Sequence, residues 1–397
     1  MSIVILSFTS FLFFYSIFIR KNFNFGFKES FAIGLFAYIY IPLFFHYFLN
    51  DYLLNEFSTF GGYEYQTIVK LHYLTLTILV SFSLGYVLLN KKVYLFKLNQ
   101  NYSNLSIIIA IILFSLIISV YRIAVVQSVV AISILLFLLI YKSNFSDLKK
   151  IILILLMMVI LQYLSANYYH SRRDVVKIFL LSFFFISLIT NKKKILYALF
   201  LIFIFSTTFL VIFGTFLRSP QYIGVNIFDV IDINLKAFIQ NYDFVPAFDN
   251  LMYIISEDDL KQANSLFKIF YSWIPRDIWS SKPFDTHTLI VSFRKNPFVG
   301  GIAQSVTLLG EVYWNFGWIS VIFIFFLIGI FAKNFDLIIK KNLKDLTDLQ
   351  IIFLSSVSYL IFVFWRGSIT TTLIIYIINI TTIVGTLMIL KFFLQKK

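Results

Sequence analysis

The sequence predicts an all-α integral membrane protein: a polytopic bundle of about eleven transmembrane helices with one large extracytoplasmic loop that contains short amphipathic helices. Three observations predict it. Of 397 residues, 60% are hydrophobic and 13% charged, and the mean hydropathy is +0.87; a water-soluble domain could not cover that much apolar surface. Apolar runs recur at a length that spans a bilayer, roughly 17 to 25 residues. The lysines between them fall in alternate connections.

The runs lie near 2–19, 31–49, 70–89, 105–120, 123–141, 151–166, 178–190, 195–217, 312–332, 350–365 and 369–390. The first is apolar from Ser2 and is followed, not preceded, by Arg20-Lys21. A cleavable leader has the opposite order, so a retained first span is expected. The run 105–141 is divided at Tyr121-Arg122. About eight spans in 1–217, a loop over 218–300 and about three spans in 301–397 make up the domain organisation.

Six alternate connections hold Arg20, Lys21 and Lys28; Lys91, Lys92 and Lys97; Lys142, Lys149 and Lys150; Lys192, Lys193 and Lys194; Lys333, Lys340, Lys341 and Lys344; and Lys391, Lys396 and Lys397. The positive-inside rule assigns all six to the cytoplasm, with the N-terminus outside and the C-terminus inside. The formal charge of +14 is thereby a topology signal, and nucleic acid is not an expected partner. The chain has no Cys, which removes disulfides and thiolate chemistry. Its 50 Phe residues accompany abundant Ile, Lys, Asn and Tyr, the bias of an AT-rich coding sequence rather than of an aromatic ligand cage.

Seven arginines fall in the other, outward connections: Arg122, Arg172, Arg173, Arg218, Arg276, Arg294 and Arg366. Several sit in short connections, where positive charge opposes the topology. Guanidinium offers a planar fork of donors matched to phosphate oxygens, so this cluster reads as a site for a lipid phosphate or pyrophosphate.

The loop has two helical stretches in this reading. Phe228, Ile231, Leu235 and Phe238 form an apolar stripe, and Leu266 to Ile274 is a short aromatic-rich segment of interfacial type. Pro275-Arg276-Asp277 through Lys282-Pro283, with Trp279, Asp285, His287 and Arg294, holds the chain's densest set of potentially catalytic groups. Beyond Gly300-Gly301, the residues Gln304, Leu308, Glu311, Asn315 and Trp318 are spaced to line one helical face, leading into an unbroken apolar span. Facing lipid would cost a carboxylate a few kcal/mol, so the stripe is expected to face the interior or a wet cavity. His46 and His72, isolated among aromatics, are read as structural, and His170 is left open between a structural and a site role.

Ile274-Pro275-Arg276 with Lys282-Pro283, then Ser305, Leu309-Gly310-Glu311-Val312-Tyr313, Asn315-Phe316-Gly317 and Arg366-Gly367-Ser368 resemble the Wzy-type polymerases of O-antigen and capsular polysaccharide repeat units. The likeness is detailed over about 270–390, and elsewhere it is one of layout. It implies a glycosyltransferase of the bacterial inner membrane that moves a growing glycan from undecaprenyl pyrophosphate onto a new lipid-linked repeat unit. No His/Asp/Glu cluster in the sequence has metal-ligand spacing, so chemistry without cofactor or metal is expected. The pathway's flippase and chain-length regulator would be its partners. Arg276, Arg366 and Arg172 or Arg173 are expected on the pyrophosphates, with Arg218, Arg294 and Lys282 as further contacts. Glu311, His287, Asp277 and Asp285 are the candidate general bases. Glu311 and His287 lead, since a partly desolvated carboxylate has the raised pKa that suits a base. Tyr313, Asn315, Gln304 and Trp279 are candidate glycan contacts. A related ligase would share the donor lipid, and a flippase should show two comparable halves with polar residues deep in several helices.

Overall fold

A computed structural model describes residues 9–16, 25–48, 65–88, 125–168, 172–190, 244–257, 277–281, 306–341 and 348–366, with single residues at 267, 271, 274, 346, 369, 373 and 376. Among them there is helix and no strand. In chain order the helices are α1 (Phe27–Leu35), α2 (Ile41–Phe48), α3 (Tyr65–Leu88), α4 (Val125–Lys142), α5 (Asp147–Tyr168), α6 (Arg172–Ile189), α7 (Phe244–Ser256), α8 (Leu308–Lys341) and α9 (Asp348–Trp365). Residues 9–16 are also helical. Three stretches of the described residues are long and apolar enough to cross a membrane: Phe27–Phe44, Tyr65–Leu88 and Leu308–Ile339. Shorter apolar helices run over Ser133–Lys142, Val176–Ile189 and Gln350–Trp365. The expected spans at 105–120 and 195–217, and the stripe at 228–238, lie outside the described residues.

α1 passes into α2 without a loop, through a wide turn over Phe36–Tyr40 in which the Ile41 N–H reaches back five residues to Phe36 O. Pro42 explains the widening: it has no N–H to donate, and its ring crowds the carbonyl four residues earlier. Phe31 of α1, fully buried, ties four helices together. Its ring stacks on Phe82 of α3 at 4.4 Å and meets Trp365 of α9 at 5.2 Å and Phe325 of α8 at 6.1 Å.

α3 and α8 pack backbone to backbone. A Cβ on Gly85 would lie 2.1 Å from Phe326 O, and one on Gly329 2.1 Å from Phe82 O. Small residues at a helix crossing allow the close approach that holds helices together where lipid leaves no hydrophobic drive. Lys70 lies over the Tyr313 ring at the other end of the pair, so the two helices run parallel. Each buries one stripe and exposes another. Leu71, Leu74 and Ile78 of α3, with Val321 and Phe325 of α8, are buried, whereas Val80, Leu84, Val87, Ile319, Ile322 and Phe323 are exposed. An exposed apolar face of this extent suits lipid rather than water.

One end of the bundle holds a buried ionic cluster. Lys28, in the first turn of α1, hydrogen-bonds Asp336 of α8 and lies 3.3 Å from Glu29. Tyr86 Oη donates to Asp336 at 2.5 Å, and Lys333 sits 4.9 Å from the Tyr86 ring centroid. Phe25 meets Phe183 of α6 at 4.9 Å, and Tyr141 of α4 meets Phe185 at 6.4 Å. Helix ends bearing Lys28, Lys142 and Lys333, which the lysine pattern groups on one side, thus share one end of the bundle. Lys28 itself belongs to α1 and is 7% exposed, not a solvated connection.

α8 is not the unbroken helix expected from the sequence. Phe316 has φ −143° and ψ 20°, and Gly317 has φ 63° and ψ −140°. The second pair of angles is open to Gly alone. Side chains on both sides of the break bond carbonyls of the turn before it. Asn315 Nδ2 donates to Glu311 O at 2.7 Å, and Ser320 Oγ to Val312 O at 2.6 Å. The stripe from Gln304 to Trp318 is corrected accordingly. Leu308, Glu311 and Asn315 are buried together, but beyond the break Trp318 turns outward and is 37% exposed; Gln304 lies outside the described residues.

Two substitutions check this packing. Gly329→Val should cost about 1–3 kcal/mol or more by overpacking and lower the thermal midpoint in detergent, whereas Leu84→Ala, on the exposed face, should leave it near wild type. Gly317→Ala should cost about 1–3 kcal/mol of backbone strain, read by the same melt, and an unchanged midpoint would show that the break does not need glycine.

Candidate active site

The bundle end opposite the Lys28 cluster gathers most of the described residues that the sequence singles out. α8 begins there because Thr307 caps it: its Oγ1 accepts the Gly310 N–H at 3.0 Å, and the Glu311 N–H closes the first turn on Thr307 O at 2.9 Å. Behind this turn Trp314 packs with Val306 and with Ile254 of α7. α7 was not anticipated. It lies within the loop assigned to 218–300, but Ala247, Phe248, Leu251 and Met252 bury it against the bundle. The spacing of those four residues was its sequence signal; Asp249 and Asn250, both buried, disguised it.

Glu311 is 1% exposed. Its Oε2 accepts the backbone N–H of Ile369 at 2.7 Å, 58 residues further along the chain. Ile369 is helical and lies three residues past Arg366, the turn residue that follows α9. α9 ends on the other side of that turn, with Arg366 N–H donating to Val363 O at 3.1 Å. Arg366 is partly buried, and one of its terminal nitrogens, Nη1, is fully enclosed. One hydrogen bond therefore joins the Glu311 motif to the Arg366 motif.

Asn315, read as a glycan contact, is 5% exposed and directs its amide to the helix break. Tyr313 is partly buried beneath Lys70, 5.6 Å from its ring centroid, and meets Trp318 edge-on at 6.3 Å. Lys70 also donates to Ile255 O, at the last turn of α7, at 3.2 Å, where a cation meets the negative end of the helix dipole. Sequence reading passed over Lys70 as the first residue of a span; a lone cation heading an apolar run was the available signal. Phe267, in the loop assigned to 218–300, lies edge-on to Phe316 at the break, 6.0 Å away. Trp279 meets Tyr271 at 5.5 Å and donates Nε1–H to Ser281 Oγ at 2.9 Å, and Asp277 beside it is exposed.

Arg172 and Arg173 open α6, and their side chains are outside the described set. Arg276, Arg218, Arg294, Lys282, His287, Asp285 and Gln304 are outside it altogether, as is His170. His72 is 2% exposed and 3.4 Å from Tyr47 Oη, in keeping with a structural role. Among the described residues no group of three His, Asp or Glu side chains could hold a metal ion together.

No curated protein and no solved structure matches the chain. A protein-family model does, over residues 279–397, under the description O-antigen polysaccharide polymerase Wzy. The matched stretch starts after Pro275-Arg276 and takes in Trp279, all of α8 with its break, and the Arg366 turn. The likeness read from the residues is thus met by the comparison: over its last part, and in a multi-pass helical membrane setting, the chain is similar to Wzy-type O-antigen polymerases.

Proposed function

We propose that the protein polymerises oligosaccharide repeat units carried on undecaprenyl pyrophosphate, at the outer face of the bacterial cytoplasmic membrane. The product would be O-antigen or capsular polysaccharide. The observation that carries the reading is the Ile369–Glu311 hydrogen bond, which unites two motifs, both inside the stretch similar to the polymerase family.

The reaction breaks the bond between the donor sugar's anomeric carbon and a pyrophosphate oxygen. An acceptor hydroxyl forms the new glycosidic bond and gives its proton to a base. The bonding pair departs with the lipid pyrophosphate, so negative charge grows on the leaving group, and donors preset around it lower the barrier. Arg366 is the described candidate for that role. Arg276 and Arg172 or Arg173 complete the reading, with Arg218, Arg294 and Lys282 further out. Guanidinium suits it because its planar fork pairs with two phosphate oxygens at once.

The Ile369 bond favours Glu311 as the residue that fixes the arginine turn. A carboxylate held by a backbone N–H is an anchor first. Proton acceptance then falls to His287, Asp277 or Asp285 of the outer loop, within reach of an acceptor sugar.

Deleting the gene should leave surface material capped at one repeat unit; full absence of exported repeat would point to a flippase instead. Arg366→Ala should cut chain extension by about 10²-fold or more while membrane insertion stays normal, and Arg366→Lys should restore little of it. Full-length polymer from the Ala variant would remove Arg366 from the site. For Glu311 the contrast is between Gln and Ala. Glu311→Gln keeps an oxygen for the Ile369 N–H and should retain extension within about tenfold, whereas a general base would lose about 10²–10⁴-fold on the same change. Glu311→Ala should behave like Arg366→Ala in the same gel assay of polymer length.

A further inference from the structure

α9 ends at Trp365, the residue before Arg366, and its indole is fully buried. The ring sits between Phe31 of α1, 5.2 Å away, and Phe325 of α8, 5.9 Å away. Gly34, one turn along α1 from Phe31, makes room for it. A Cβ there would lie 2.6 Å from Trp365 Cγ and 2.8 Å from Nε1, well inside the roughly 3.5–4.0 Å of a favourable contact. Tyr38, in the wide turn after α1, meets Phe362 at 6.0 Å and holds α9 one turn earlier. The Trp365 Nε1–H is enclosed and finds no acceptor among the described residues, so shape rather than a hydrogen bond seats the indole.

We propose that Trp365, seated over Gly34, is a positioning residue for the transfer reaction: it sets where Arg366 presents its guanidinium to the leaving pyrophosphate. This deepens the proposed function and rests on it. Arg366 has an anchor on each side. Three residues past it the Ile369 N–H is held by Glu311, and the residue before it is locked in the slot at Gly34. The Arg366 N–H closes back on Val363 O at 3.1 Å, so a shift of the indole reaches the arginine through a single rigid peptide plane. An arginine paired with developing charge tolerates little such movement, because its donors lower the barrier only when they are preset. Phe would fill most of the slot, whereas Leu would leave the flat space between Phe31 and Phe325 unfilled. If Trp365 only held the bundle together, its loss would follow stability and would not depend on Arg366.

The test uses the full chain in nanodiscs and, as substrate, the lipid-linked repeat unit extracted from a strain lacking the gene, with extension rates read from gels. Gly34→Ala and Trp365→Leu should each lower kcat about tenfold or more and leave KM within about twofold of wild type, since charge on the leaving group grows only in the transition state. Trp365→Phe should keep kcat within about threefold. Ile154→Ala, at a buried position of α5, supplies a variant destabilised by a cavity elsewhere; compared at equal folded fraction, it should match wild type. In an Arg366→Ala background, Gly34→Ala and Trp365→Leu should change the residual rate less than about twofold, because the group they displace is gone. Should Gly34→Ala fail to insert, Trp365→Leu reads the same contact from its other side. Wild-type rates from both, an equal loss from Ile154→Ala, or an undiminished loss in the Arg366→Ala background would overturn the assignment and leave the polymerase reading standing. Polymer length unchanged by deletion of the gene would retire that reading, and this assignment with it.

Discussion

The contact of α3 with α8 at Gly85 and Gly329 is the constraint on which the rest of the described structure depends. Within a bilayer, apolar side chains gain nothing by leaving lipid for one another, so association has to come from close packing and polar contacts. Backbone contact at two glycines supplies the first. The cluster of Lys28, Glu29, Asp336 and Tyr86, one turn beyond, supplies the second. Removing one member of such a buried set costs about 3–5 kcal/mol because its partners keep their charge. Together these contacts fix α8 against α3 and α1 at one end and leave its other end free to depart from a straight course.

That freedom is used at Phe316-Gly317. A helix interrupted in a low-dielectric setting must find new partners for the carbonyls it releases. Ser320 bonds carbonyls on both sides of the break, at Val312 and Gly317, and Asn315 bonds Glu311 O, so the Asn-Phe-Gly sequence and the following serine act as one unit. The short segment before the break carries Glu311 inward to Ile369, and the segment after it carries Trp318 outward. A straight helix would have set both on one stripe. The interruption is what lets one helix serve the arginine turn and a lipid-facing surface at once.

Much of this fold is legible in the sequence, for a physical reason. A run such as 70–89 or 312–332 announces a helix because a bilayer offers no other way to satisfy its backbone. The observed bounds, Tyr65–Leu88 and Leu308–Lys341, extend past the runs since Gln66, Lys70, Asn334 and Asp336 are polar residues that the bundle accepts at helix ends. The break was not legible: 4-3-4-3 spacing assumes a continuous helix, and only the backbone angles of Gly317 reveal the turn. α7 was hidden by Asp249 and Asn250, which look solvated until the surrounding helices are known. Lys28 pairs with Asp336 across 308 residues, and no local pattern carries such information. Glu311 and Arg366 were each singled out by residue type and position. Their meeting through the Ile369 N–H, and the part of Lys70, belong to tertiary structure alone.

The two ends of the bundle hold their cations through different kinds of partner. Lys28 is enclosed by two carboxylates and a phenol, so its charge is neutralised within the protein. Lys70 donates to Ile255 O and lies over the Tyr313 ring, so a cation on α3 joins the last turn of α7 to the first turns of α8.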